Sequence, residues 1–368
     1  MKKIMLITIL AIFTLAFFSF VESSSADIVT IFVDDDHDET TQGWNVDHFS
    51  SISDAINASE SGDSVFIYNG IYCEHIILDK SIIIVGEERN NTIIDGEGFG
   101  NTVSVVADNV SISEFMIRNS GVESNNSGLM VLSDDNIIYD NIIVNNSVGI
   151  ILQRCKNNIV KDNFVESNVF GIGLHHCNEE NSIFKNYVYD SNVSGIYLAY
   201  CANNTVNNNT IRNNSYGIAL SFGEDNTVSD NLLSSNKNDG LNLYFCNETV
   251  FVRNKISGSE CAVACTESNN NLMNENYIYN NSLYGIKLVL GSCNNEVYDN
   301  ILTGCDTGVY ISMDSFDNHL HGNLFSSNNQ KLVDETIVVD DYSSGFELIV
   351  IIITAFSILI LKKIRFKK

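Results

Sequence analysis

Between Asn136 and Asn328 apolar residues stand singly between polar neighbours in runs of three to five, and the pattern recurs every 22 to 24 residues. Each copy reads approximately Gly-Ile-x-Leu, then Asn-Thr-Val-x-Asp-Asn, then x-Ile-x-x-Asn. In the copy beginning at Gly195 this predicts strands at 196–198, 205–207 and 210–212, because an apolar residue flanked by polar ones at period two presents one face of a strand. Segments this short, closed by Asn and Gly, cannot nucleate a helix. A fixed period of this length signals a unit that cannot bury its own core and must stack on its neighbours.

The strictest column is Asn141, Asn163, Asn186, Asn209, Asn231, Asn254, Asn276, Asn300 and Asn323. A second Asn column lies five residues earlier (Asn136, Asn158, Asn181, Asn204 and onward), and a third five or six later (Asn146, Asn168, Asn192, Asn214, Asn236, Asn281, Asn328). Three polar corners per repeat imply a triangular coil. Stacked about 4.8 Å apart, such coils form a parallel β-helix in which amide side chains satisfy the corner backbone. Column glycines, among them Gly149, Gly171, Gly195, Gly217 and Gly240, are expected to supply the backbone angles of a tight corner. Inward columns include Ile150, Ile172, Ile196, Ile218, Leu241 and Ile286, with companions through Val206 and Val188. Residues 49–58 carry apolar side chains at helical spacing and predict an amino-terminal cap. Less regular strands are expected at 64–68, 76–78, 81–86, 92–95, 103–106 and 112–117. The expected fold is thus all-β, a β-helix of about 11–12 coils over residues 65–328, preceded by a segment and capping helix at 27–64.

The termini differ in kind. Lys2 and Lys3, the apolar run 4–20 and the small residues 23–26 have the layout of a secretory signal peptide over residues 1–26. Residues 329–345 read as a terminal segment and linker. Residues 348–361 are fourteen without a charge and are followed by Lys362, Lys363, Arg365, Lys367 and Lys368, so residues 346–368 are expected to form a transmembrane helix and a basic cytoplasmic tail. The region 27–347 keeps 13 Lys and Arg against 45 Asp and Glu, 13 minus 45 or −32. That charge argues against nucleic acid as a partner and suits a cell-exterior rod facing a glycan or a surface-layer component.

Residues 31–96, from Ile31-Phe32-Val33-Asp34-Asp35-Asp36 through Asp95-Gly96, followed by Asn-rich coils, closely resemble the NosD-like right-handed β-helix proteins. The resemblance covers most of the chain and implies the single-stranded right-handed parallel β-helix of the pectin-lyase-like class. It implies three activities: carbohydrate binding, sugar hydrolysis or lysis, and periplasmic copper handling. Ser344-Gly345-Phe346-Glu347 with its apolar run resembles the archaeal PGF carboxy-terminal sorting signal, with Ser344 where that signal has proline.

Candidate chemistry follows from the columns. Sugar hydrolysis needs two carboxylates roughly 5–9.5 Å apart, which adjacent coils supply. Asp140 and Asp162 stack in this way beside Lys185, in a column that also reads as a charge-balanced corner. Tyr187 and Tyr189, and Tyr277 and Tyr279, flank inward residues and so face outward, near Phe164; both a sugar platform and ordinary cross-strand stabilisation remain open. His175, His176 and Cys177, and separately His319 and His321, have the residue types of a copper site. The acidic run from Asp34 to Glu39 has the charge for calcium but not the spacing of a known loop. Cys155, Cys177, Cys201 and Cys246 follow the column glycine by six residues and read as a buried small-residue stack.

Overall fold

The computed structural model describes residues 29–336. The expected signal peptide, transmembrane helix, sorting signal and most of the linker lie outside the described residues. Three parallel sheets run the length of the molecule, of 12, 14 and 12 strands. The first sheet collects the repeat's glycine strands, from Ile76–Leu78 to Gln330–Asp334. The second runs from Thr30–Val33 and His48–Phe49 to His319–His321, and the third from Gly70–Tyr72 to Leu324–Ser326. The chain visits second, third and first sheet in turn and then begins the next coil. Thr205–Asn207 and Thr210–Arg212 fall as the pattern predicts, whereas the glycine strand extends to Ser194–Ala199.

Register follows from the inward columns. Ile150, Ile172, Ile196 and Ile218 pair in sequence, as do Val165, Val188 and Ile211, and all are buried. Placing these side chains out of register would move every apolar residue of a strand to solvent, so the hydrophobic effect sets the pairing.

The Asn ladders close the corners. Asn186 donates from N and Nδ2 to Asn209 Oδ1 at 2.9 and 3.1 Å, and from Nδ2 to the carbonyls of Val160 and Phe184. Its own Oδ1 accepts from N and Nδ2 of Asn163. One side chain therefore satisfies backbone groups of two coils and links to the side chain of a third. The third ladder departs from expectation: Ser191, not Asn192, occupies the column, its N donating to Asn214 Oδ1 at 2.9 Å while Asn192 is exposed. Five residues after the strict column is the ladder position, and six is solvent. The hydroxyls of Ser191 and Ser259 are buried there without a partner.

The glycine column also works differently from expectation. Its members do not carry positive φ; the left-handed angles belong to other corner positions, mostly non-glycine residues such as Asp140, Asp162, Asn208 and Asn213. The glycines are required by proximity. A Cβ at Gly171 would sit 2.3 Å from the Gly195 carbonyl oxygen, and one at Gly217 would sit 2.4 Å from that of Gly240.

The cap is the helix Ile52–Ala58, α1, with Ser51 as N-cap and Ile52, Ala55 and Ile56 buried. The Glu74 carboxylate accepts from Ile52 N, Ser53 N and the Ser51 and Ser53 hydroxyls at the helix start. Lys80 Nζ donates to the carbonyls of Ile56, Asn57 and Ser59 at its end, each at 2.8 Å. An anion at the positive end and a cation at the negative end of α1 complement its dipole and orphan backbone groups. The expected strand at 112–117 is two strands, Ser111–Ser113 and Met116–Ser120, in different sheets. Ile112 and Ile117 are both buried but five residues apart, which one alternating strand cannot achieve; a left-handed Glu114 makes a corner between them.

Candidate functional site

Residues at the second-to-third sheet corner adopt φ near +55°, and the chain turns there into the strict Asn ladder. Asp140, Asp162 and Lys185 occupy this column in successive coils, as the period predicts. Glu114 extends it one coil upward. Burial, then repulsion from Asp162, pushes the Asp140 carboxyl above the ordinary range, while Arg89 and Lys161 pull it down. Burial likewise raises Glu114, with Asp140 among its neighbours. Arg89 Nη1 lies 3.9 Å from Asp140 Oδ1. Further along the column, Arg253 grips Asp230 with two 2.8 Å hydrogen bonds, so there the corner is charge-balanced.

The outward face of the third sheet begins beside this column. Phe164 and Tyr187 stack with centroids 4.9 Å apart and planes 9° apart, and the Arg89 guanidinium sits 4.9 Å above the Phe164 ring. Arg89 thus joins the carboxylate column to the aromatic face, a contact from a position outside the repeat that the period does not encode. Tyr189 lies over Arg212 at 5.3 Å, and burial with a Glu166 hydrogen bond raises its hydroxyl to about 12. Four coils away Tyr277 and Tyr279 stack at 4.9 Å, with Lys255 Nζ 5.7 and 5.4 Å from their centroids. Tyr187 and Tyr277 are 47% and 40% exposed, enough to offer ring surface to a ligand. The two tyrosine pairs therefore form separate platforms on one face.

The histidine candidates do not converge. His175 and His176 pack edge to face at 4.4 Å on the outside, whereas the Cys177 thiol turns into the core and donates to the Leu152 carbonyl. The strand ends at His175, and the left-handed corner at His176 turns the chain so that Cys177 points inward. His319 faces Glu296 at 3.7 Å, and His321 stacks on Tyr298 at 4.9 Å. In the acidic run, Asp34 caps Asp36 N, and Asp38 accepts from Thr40 N and Oγ1. No group of three His, Cys, Asp or Glu side chains placed to hold a metal occurs among the described residues. Cys155, Cys177, Cys201 and Cys246 are free and buried, and Ser268, Ser292 and Ser315 continue their column, each hydroxyl accepting from the coil before.

Two features escape the reading of columns. Asp239 precedes the column Gly240 on the first sheet, accepts from Asn242 Nδ2 at 2.7 Å, and is raised by burial. It begins its strand two residues before the apolar pattern, where no alternation marks it. The second is an aromatic column five residues after the glycine, including Tyr200 and Phe222, stacked at 4.9 Å. Its signal was present in the repeat, but counting from the glycine past the strand end was needed to see it. Two shallow hollows, of about 540 and 470 Å³, lie near Glu260 and Asn280 and near Lys287 and Tyr310, away from the Asp140 corner.

A family model described as periplasmic copper-binding protein (NosD) matches residues 188–347, and one described as right handed beta helix region matches residues 103–248. No curated protein sequence matches the chain. Among solved structures, the A-module of mannuronan C-5 epimerase AlgE4 from Azotobacter vinelandii is 14% identical, with a TM-score of 0.65 over 79% of this chain and 93% of that one. DFA-IIIase from Arthrobacter chlorophenolicus A6, without its lid and in complex with GF2, is 13% identical with a TM-score of 0.60, covering 72% and 88%. The Dettilon tailspike protein (gp208) is 13% identical with a TM-score of 0.54, covering 75% and 63%. At such identities the likeness is one of fold, and the fold is a right-handed parallel β-helix.

Proposed function

We propose that the protein is a glycan-binding rod displayed outside the cell, held to the membrane by the apolar segment near its carboxy terminus. The observation that carries the reading is the union of an aromatic platform, the exposed Tyr187 stacked on the half-buried Phe164, with the charged pair Asp140 and Asp162, which Arg89 joins to it through Asp140. The exposed ring of Tyr187 offers apolar surface to the C–H groups of a sugar, and the charged groups beside it fix its hydroxyls. Among proteins of this shape is an epimerase of mannuronan, which accords with a carbohydrate ligand. A glycan array probed with full-length protein and with a Phe164→Ala/Tyr187→Ala variant tests the reading. Retention by the wild type and about tenfold weaker retention by the variant are expected; equal signals would sink it. Release of the protein into the medium by truncation after Tyr342 is the corresponding expectation for the anchor.

Polysaccharide cleavage is a second reading, favoured by the raised Asp140 carboxyl beside Asp162. Depolymerisation by the purified protein, lost in Asp140→Asn/Asp162→Asn, would establish it. Copper handling, suggested by the name of one matching family model, draws no support from the arrangement of His175, His176, His319 and His321.

A further inference from the structure

Four left-handed columns run along the rod. Three are filled by Asp, Asn, Ser, Gly and charged residues, for example Asp135, Asn157 and Asn203, or Asn145, Ser167 and Asn213. These are the types that tolerate positive φ or present a solvated head. In the fourth, four successive coils place His176, Tyr200, Phe222 and Phe245 at φ of 52 to 55°. A bulky ring is a poor occupant of that conformation, and breaches of a local rule that the rest of a structure obeys mark functional positions.

The rings form a continuous stack. Successive centroids are 4.9, 4.9 and 5.2 Å apart, with planes 17, 5 and 7° from parallel. This spacing is that of the coils, so the rings overlap with an offset. Tyr200 and Phe222 are 46% and 43% exposed. His175 and Tyr244 stand nearly perpendicular beside the stack, at 82° to Tyr200 and 84° to Phe222. Along its other edge runs a line of backbone bridges linking Glu224, Asn247 and Asn269, with the Glu224 and Asn247 side chains exposed.

We propose that this stack is a second, axial binding strip for an extended, uncharged β-1,4-linked pyranose chain, with about one sugar per coil. The inference rests on the glycan-binding reading above and gives it a ligand class. The coil spacing is close to the length of one pyranose unit in an extended chain, so successive sugars meet the exposed edges of successive rings, whose faces are stacked on one another. Their hydroxyls face Glu224 and Asn247. Glu224, Asp225 and Glu248 are exposed two or three residues beyond Phe222 and Phe245, and their charge repels a polyuronate and favours a neutral polymer. A strip one ring wide suits a chain better than a globular partner, which needs about 800 Å² on each side.

Isothermal titration of full-length protein with cellohexaose, chitohexaose and hexagalacturonate tests this. Binding of at least one neutral hexasaccharide, and not of hexagalacturonate, is expected. Tyr200→Asn/Phe222→Asn installs the residue that fills the other left-handed columns, so circular dichroism should be unchanged while affinity falls about tenfold or more. Should the double variant misfold, Tyr200→Asn alone decides by the same criterion. Undiminished affinity overturns the strip. If only Phe164→Ala/Tyr187→Ala weakens binding, the strip falls and the third-sheet platform stands. If no neutral hexasaccharide binds while the array retains some other glycan, the ligand class falls and the general function stands.

Discussion

The first coils and the later ones solve the same corner problem by different means. Between Asn136 and Asn328 one residue type, repeated, joins most corners to the next, as Asn141 does to Asn163 and Asn163 to Asn186. Before Ser120 the corners use particular side chains in particular places. Thr92 donates to Asn69, Asp95 holds Arg118 and Asn119, and Glu74 and Lys80 clamp the two ends of α1. The laddered part is modular because its coils are interchangeable, and the amino-terminal part is a fitted lid. Stability in the first region resides in nearest-neighbour interfaces, whereas the second depends on single contacts that no other coil can replace.

Excising coils should expose this contrast most strongly. Removing residues 195–216 brings Ser194 to Gly217 and leaves every ladder in register, so a folded, shorter rod is expected by circular dichroism and sedimentation. Removing residues 68–86 deletes Glu74 and Lys80 with their coil, and should give aggregated protein. If both deletions behave alike, the distinction between module and lid is wrong.

Within the ladder, Asn186→Ala should cost about 3 kcal/mol, because it strands the Val160 and Phe184 carbonyls and the Asn163 amide in the core. Chemical denaturation measures this, with Asn192→Ala, an exposed neighbour, as the near-neutral control. A smaller effect of opposite sign is expected where the ladder is interrupted. Ser191→Asn should stabilise by about 1 kcal/mol by restoring an amide to a site whose hydroxyl is unpartnered. A loss of stability there would mean the gap has a packing role.

The smallest effect concerns the carboxylate corner. The Asp140 pKa is higher in the folded chain than the ordinary 3.8, so its ionisation opposes folding at neutral pH. Asp140→Asn, a residue the column already uses at Asn208, should therefore raise stability at pH 7 by at most about 0.5 kcal/mol, since solvent screens the site. The gain should shrink as pH falls through the raised pKa toward 3.8, and thermal melts at pH 7 and pH 3.5 would show it. A gain that persists at pH 3.5 would assign the effect to something other than charge.

Much of this was legible in the chain because a one-dimensional stack repeats its contacts. A buried side chain in one coil must be matched by its counterpart 22 to 24 residues on, so Ile172, Ile196 and Ile218 announce both the strand and its neighbour. The stacking of Asp140 on Asp162 and the outward direction of Tyr187 followed from the same arithmetic. Ser191 in place of Asn192 shows the limit: five and six residues differ little in composition but lie on opposite sides of a corner.

The sequence by itself determined the coil, its three strands, the inward columns and the identity of the strict ladder, because period and alternation are local properties multiplied by stacking. Only the tertiary structure decided which contacts cross the repeat. Arg89 reaches both Asp140 and Phe164, Glu74 and Lys80 hold α1, and Cys177 turns inward while His175 and His176 turn out. It also decided that bulky rings occupy the fourth left-handed column, since the sign of φ at Tyr200 and Phe222 is set by the corner that must be turned and not by the residue that turns it.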